Sequence, residues 1–271
     1  MKSLLALVSI IVFLVMVLFI LRLSCRHKDK FENKDDLVPS KKYLLFSSVG
    51  KRELDVQAVD MWRVHRKRRD YDIVLYYYND VPPPGCKDHC AYKPGFKFEN
   101  FYSYATNNDV SGYEAIFIVD DDIEIDAKQL NELFEIFTEY NLDIGQPAFT
   151  HDSNISHPIT VQDQSCILRF CNFVENGVML VSKVALDKCL PIFKNASTGW
   201  GVDYMCCSML DNGSNIAIID KVPCKHPHSA STLDHVISRP EHGVLGKEML
   251  KKHGGESYEP KEHSRVEVSS S

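Results

Sequence analysis

Asp120, Asp121 and Asp122 stand directly after the apolar run Ile116-Phe117-Ile118-Val119. Two carboxylates separated by one residue can face a common point and hold a hard divalent cation, and that cation would in turn neutralise a diphosphate. Three adjacent carboxylates repel one another, so the cluster must be solvated or metal-bound. The plain alternative is a solvated acidic turn that caps the following helix, with Glu124 and Asp126 close by. A dehalogenase-type phosphatase also places Asp-x-Asp after an apolar strand. Its motif continues with Thr or Val where this chain has Glu124, which makes it the lesser reading.

Three further groups carry chemistry-bearing residues. In Gly199-Trp200-Gly201-Val202-Asp203, glycines around a tryptophan permit a tight turn that brings an aromatic face and a carboxylate to a pocket. Asp203 there can orient an acceptor hydroxyl or take its proton; the bland alternative is a helix start with an acidic first turn. In Val222-Pro223-Cys224-Lys225-His226, a neutral imidazole at a strand end can complete a metal's coordination, or it is simply a surface histidine. Glu175, within Phe173-Val174-Glu175-Asn176-Gly177, is a polar residue on an apolar approach to a strand, either a site residue or a paired interior carboxylate.

The elements that must position these residues alternate along the chain. Strands are expected at 43–49, 72–78, 113–119, 177–182 and 215–220. Helices are expected at 52–67, 127–140, 183–190 and 202–211. Residues 116–119 are apolar without interruption, as in a strand buried on both faces of a parallel sheet. Asp126 and Gln129 resemble a capping box, followed by Leu130, Leu133, Phe134 and Phe137 at the spacing of an amphipathic helix. Such alternation predicts an α/β layered fold, with ligands outside the carboxyl ends of the strands.

Around this core the chain divides into an anchor at 1–23, a polar stem at 24–40, a globular part at 41–255 and a tail at 256–271 expected to be disordered. Residues 4–21 are apolar except for Ser9, long enough for one N-terminal transmembrane helix. No small-x-small cleavage site follows. Arg22, Arg26, Lys28 and Lys30 after the span would by charge alone place the globular part in the cytosol. Nine cysteines and sequons at Asn154, Asn195 and Asn212 argue for a lumenal, oxidising compartment. Cys86 and Cys90 are close enough to pair. The formal charge of −6 gives no reason to expect a nucleic-acid partner, and the basic residues Arg63, Arg66, Lys67, Arg68 and Arg69 read as the solvated face of a helix.

Taken in order, these segments resemble a known eukaryotic family. It is the domain of unknown function named in plants as lysine-ketoglutarate-reductase trans-splicing related, which has a glycosyltransferase A-type (GT-A) look. The carriers are Lys42-Tyr43-Leu44-Leu45, Tyr113-Glu114-Ala115-Ile116-Phe117 running into the aspartates, Gln146-Pro147-Ala148, Phe173-Val174-Glu175, Gly199-Trp200-Gly201-Val202-Asp203, and Asp220 ahead of His226. The family's Trp-Asp-Glu-Asp-Leu stands here as Val119-Asp120-Asp121-Asp122-Ile123, with both outer aspartates kept. The resemblance implies a GT-A-like mixed, mostly parallel sheet flanked by helices. It implies a nucleotide-sugar donor held through Mn²⁺ or Mg²⁺ by Asp120 and Asp122, with His226 as a further ligand. Asp121, Lys97, Trp200 and Gly201 would border the donor, Asp203 would face a glycan or glycoprotein acceptor, and Glu175 would line the pocket. It also implies a type II, single-pass protein of the Golgi or endoplasmic reticulum with its domain in the lumen. The alternative is a non-catalytic, membrane-tethered glycan- or protein-binding module on the same scaffold. The RNA-processing name finds no basic stripe or nucleic-acid motif to support it.

Overall fold

The computed structural model describes residues 41–64, 68–196, 199–210, 215–227, 251 and 259–269. The expected anchor and stem lie outside these residues. Among the described residues no helix is long and apolar enough to cross a membrane.

A nine-stranded sheet organises the described chain. Its strands are β1 (Tyr43–Val49), β2 (Tyr71–Tyr77), β3 (His89–Tyr92), β4 (Ala115–Val119), β5 (Ile144–Phe149), β6 (Cys166–Cys171), β7 (Val178–Ser182), β8 (Ile216–Cys224) and β9 (Glu262–Glu267). Across the sheet they run in the order β3-β2-β1-β4-β7-β5-β8-β6-β9. β3, β2, β1 and β4 are mutually parallel, β5 is parallel to β8, and β7 and β6 run against their neighbours. The helices are α1 (Glu53–Arg63), α2 (Lys97–Asn107), α3 (Ala127–Glu139), α4 (Lys183–Phe193) and α5 (Val202–Leu210).

Every residue of β1 and β4 is buried, which is what continuous apolar runs between two helical layers require. One face packs Leu45, Phe117 and Val119 against Trp62 of α1 and Leu130, Leu133, Phe134 and Phe137 of α3. The other packs Phe46, Ile116 and Ile118 against Phe98 and Phe101 of α2, Leu186 and Phe193 of α4 and Met205 of α5. The capping box forms as the sequence suggests. The Asp126 carboxylate accepts from the Lys128 and Gln129 amides, and the Gln129 side chain accepts from Asp126 N. Phe134 stacks on Tyr43 with ring centroids 4.6 Å apart and is fully buried. Phe134→Ala is expected to cost about 3–5 kcal/mol of stability, read from a urea transition.

Three expectations are corrected. The helix expected at 52–67 ends at Arg63, and Arg69 is 4% exposed, so the basic run is not one solvated helical face. The tail is not disordered throughout. β9 pairs antiparallel with β6, Val266 packs on the core edge, and Arg265 pairs with Asp163 at 3.0 Å. Backbone pairing to an unprotected edge strand needs few apolar residues, so composition alone missed it. Of the cysteines, only Cys86–Cys90 form a disulfide among the described residues. Cys166, Cys171, Cys189, Cys206, Cys207 and Cys224 are free and buried, so the argument from cysteine count reduces to one bridge.

β5 shapes the far wall of the site. Its pairing with β7 stops at Gly145, which leaves room for Pro147 in an interior strand without an orphaned partner on that side. Past this point the buried Gln146 side chain takes over, its Oε1 accepting from Glu175 N at 2.6 Å. The approach to β7 is thereby pinned beside the carboxyl end of β4.

Candidate active site

Three chain segments meet where β4 ends. Val178 sits opposite Val119 in the β4–β7 ladder, and Asp120 N donates to Gly177 O at 2.8 Å. A single bridge joins Glu124 to Lys225, with backbone bonds in both directions, and places His226 beside the aspartates. His226 N donates to Ser153 Oγ at 3.1 Å, and its ring lies 5.9 Å from that of Phe149.

The three aspartates have different surroundings. Asp120 is the most open, with its side chain 40% exposed, and it pairs with Lys97 at 2.6 Å. Asp121 is turned into the corner between β1 and α1. There it accepts from Gly50 N (2.7 Å), Tyr78 Oη (3.1 Å) and Arg52 Nη2 (3.2 Å). Burial, followed by the charges of Asp55 and Asp122, pushes its carboxyl up to about 7. Asp122 is also buried. Its Oδ2 lies 3.4 Å from Arg52 Nη2 and its Oδ1 lies 3.7 Å from His226 Nε2. Burial and then the charge of Asp120 raise its pKa.

Lys97, at the start of α2, links these residues to the second carboxylate group. Its ammonium also donates to Asn176 O at 2.7 Å. Asn176 Nδ2 in turn donates to Gly199 O at 2.8 Å, tying the approach to β7 to the turn before α5. That turn needs its glycines, because Gly199 and Gly201 have φ of 73° and 81°. Between them Trp200 is 47% exposed, and Asp203 follows in the first turn of α5, 5% exposed. Desolvation brings Asp203 up to about 6, against the backbone amides that favour its ionised form. Glu175 rises to about 7, by burial first and then by the charge of Asp203. Glu175 Oε2 is buried with no hydrogen-bond partner among the described residues.

The sequence-derived candidates therefore gather at one end of the sheet, most of them in two subsites. Asp122, His226 and Asp120 form one, Glu175 and Asp203 the other, with Lys97 between them. Asp121 does not face either; it anchors the β1 corner. Trp200 lies on the turn that leads to Asp203 and is 47% exposed. Among the described residues no three His, Cys, Asp or Glu side chains already form a cation cage. Sequence reasoning missed Arg52, which bridges Asp55, Asp121 and Asp122, and also Tyr78 and Asn176. Arg52 was findable, since it lies three residues past the end of β1, where open α/β sheets place ligand contacts.

Gly50 makes the β1 corner possible. A Cβ there would overlap Asp55 Oδ2 and come within 2.6 Å of Tyr78 Oη. Gly50→Ala is expected to lower stability by about 1–3 kcal/mol and to displace Arg52 from Asp121 and Asp122. A urea transition and a crystal structure of the variant check both parts.

Comparison with known proteins agrees with this architecture. A family model described as a protein of unknown function (DUF707) matches residues 106–176, the span from the end of α2 through the aspartates to Asn176. No curated protein sequence matches the chain. Among solved structures, S. aureus TarS 1–349 in complex with UDP-GlcNAc superposes with a TM-score of 0.50 at 10% identity, covering 80% of this chain and 68% of that one. S. aureus TarS 1–349 gives 0.47 at 11% identity, with 80% and 72% covered. The fold is a mixed α/β arrangement, a mostly parallel central sheet flanked by helices, like that of GT-A proteins. At these identities the likeness is one of fold.

Proposed function

We propose that this chain is a glycosyltransferase that takes a nucleotide-diphosphate sugar, with Mn²⁺ or Mg²⁺, and passes the sugar to a glycan or glycoprotein acceptor. The observation that carries the reading is the pairing of two subsites at the carboxyl end of β4. One suits a cation and diphosphate (Asp120, Asp122, His226), the other an acceptor hydroxyl (Glu175, Asp203). The GT-A-like fold supports it, as does the UDP-GlcNAc bound to TarS.

The donor set fits a divalent ion. Carboxylate oxygens with one imidazole suit Mn²⁺ or Mg²⁺, and a cation would relieve the repulsion between Asp120 and Asp122. Asp122 and His226 would hold the ion with Asp120, the diphosphate and water completing it. When bound, the ion neutralises the diphosphate and stabilises it as a leaving group. Lys97 would balance the charge of Asp120 and orient it. Asp203 would accept the proton of the acceptor hydroxyl as that oxygen bonds to the anomeric carbon and the bond to the diphosphate breaks. Glu175 Oε2, buried with no hydrogen-bond partner among the described residues, would accept from a second acceptor hydroxyl. Trp200 would give a sugar an aromatic face. The chain is proposed to be held by its N-terminal segment on the lumenal side of the Golgi or endoplasmic reticulum.

The test is turnover by the full chain in detergent with a panel of nucleotide sugars, with and without Mn²⁺. Transfer or donor hydrolysis that needs the metal supports the reading. Nucleotide binding without turnover on any donor would favour a binding module on the same scaffold.

A further inference from the structure

β9 is held to the sheet by little apolar surface. Five of its six residues are exposed, and Val266 alone of them is half-buried, against the core edge. What joins it is the antiparallel ladder with β6, extended by Val268 N donating to Ser165 O at 2.8 Å, and a line of charges. Arg265 lies 3.0 Å from Asp163 and 2.7 Å from Glu262, and Glu262 lies 3.9 Å from Arg169. The Arg265 side chain is 41% exposed, and ion pairs this open contribute little each. Segments with few apolar contacts and solvent-exposed backbone bonds open locally, well before the whole fold does.

Asn172 is where this tail meets the candidate site. It is buried, and three of its hydrogen bonds go to the tail backbone. Its N donates to Lys261 O (3.1 Å), its Nδ2 donates to Glu259 O (2.9 Å), and its Oδ1 accepts from Lys261 N (2.6 Å). The β6 ladder with β8 runs to Phe170; beyond it Cys171 stands opposite Glu262 of the tail. Phe173 follows, fully buried, its ring 4.6 Å from His157 and 5.1 Å from Tyr204, the residue after Asp203. Glu175 comes next but one. The far end of this segment is fixed separately. Glu175 N donates to Gln146, Asn176 O accepts from Lys97, and Gly177 O accepts from Asp120 N. The tail thus secures the near end of residues 172–177, and β4 with its neighbours secures the far end.

We propose that β9 is a reversible strap, and that Asn172 is the positioning residue through which its docking fixes the segment carrying Glu175. With the strap down, Phe173 is held against Tyr204, and Glu175 Oε2 stays buried. When the strap lifts, Asn172 exchanges three backbone partners for water, and the near end of the segment is released. β9 and residues 172–177 then open as one cooperative unit while β1 and β4, buried along their whole length, stay closed. That this unit borders an acceptor rests on the transferase reading; the coupling of tail to segment does not.

The test is hydrogen exchange read by mass spectrometry on the full chain in detergent, without metal or nucleotide. Arg265→Glu sets like charges against Asp163 and Glu262 on an exposed strand, so it loosens the strap without touching the core. Asn172→Asp keeps an acceptor for Lys261 N but turns a carboxylate onto Glu259 O. In both variants, peptides covering 259–268 and 172–177 should exchange roughly tenfold faster or more, and in parallel, with β1 and β4 as in wild type. In wild type, raising sodium chloride should speed both peptides together by screening the charges that hold the strap. Arg265→Glu should lose that response. Faster exchange of 259–268 with 172–177 unchanged would overturn the proposal, because the tail would then be a passive edge strand. So would unchanged exchange of 259–268 in Arg265→Glu, or an equal loss of protection across β1 and β4 in that variant. No turnover is needed, so the result stands apart from whether any nucleotide sugar is a donor.

Discussion

Asp120→Asn/Asp122→Asn is expected to abolish metal-dependent donor binding and lower transfer by roughly a thousandfold or more, while the protein stays folded. The argument is electrostatic. A donor diphosphate is an anion, and bare carboxylates repel it; only a bound cation reverses that sign. Asp122 is desolvated and repelled by Asp120, so neutralising both removes a strain that the apo protein carries. The opposing losses are the contact of Asp122 with Arg52 at 3.4 Å and the pair of Asp120 with Lys97 at 2.6 Å, each with one partly exposed partner and so of small worth. The melting temperature without metal should therefore change little. Wild type should gain stability from Mn²⁺ and the double variant should not. Titration of a nucleoside diphosphate with Mn²⁺, beside thermal melts, checks each part. Equal metal-dependent binding by the variant would move the donor site elsewhere, and outright unfolding would make the aspartates structural.

Much of this arrangement was legible before any coordinates. The strand into Asp120, the capping box at Asp126 and the stripe from Leu130 to Phe137 are local signals, each set by burial periodicity or a short-range hydrogen bond. Cys86 and Cys90 were close enough in sequence to be paired. What could not be read is long-range. β9 joins the sheet through backbone bonds to β6, and a polar sequence does not announce that. β5 carries a proline that argues against an interior strand, and only the early end of β7 pairing explains why it is tolerated. α2 gives little periodic signal, yet it delivers Lys97 to both carboxylate groups. The division of three adjacent aspartates is a tertiary effect as well. Gly50 N, Tyr78 and Arg52 draw Asp121 into one corner, and their approach depends on β1, β2 and α1 folding together.

Asp203→Asn is expected to separate binding from chemistry. It should keep donor and metal affinity and lose transfer by roughly 10²–10⁴-fold, because the amide cannot take the acceptor proton. A fall in kcat without a change in the nucleoside diphosphate Kd is the signature. Glu175→Gln tests the same subsite through pH. Glu175 shifts from 4.5 to about 7, mainly by burial, so the folded protein binds its proton more tightly than the unfolded chain does. Its share of stability is fully present below pH 4.5 and is lost as pH rises to about 7. That share is on the order of 3 kcal/mol. The histidines whose pKa burial lowers, His89 and His157, act in the opposite sense. They are common to both proteins and cancel in the difference. Relative to wild type, Glu175→Gln should therefore gain stability progressively between pH 5 and pH 8 when melted in EDTA. A constant difference across that range would mean that Glu175 is ionised throughout, already neutralised by Lys97. In that case the acceptor subsite would be a fixed anionic pair instead of one able to hold and release a proton near neutral pH.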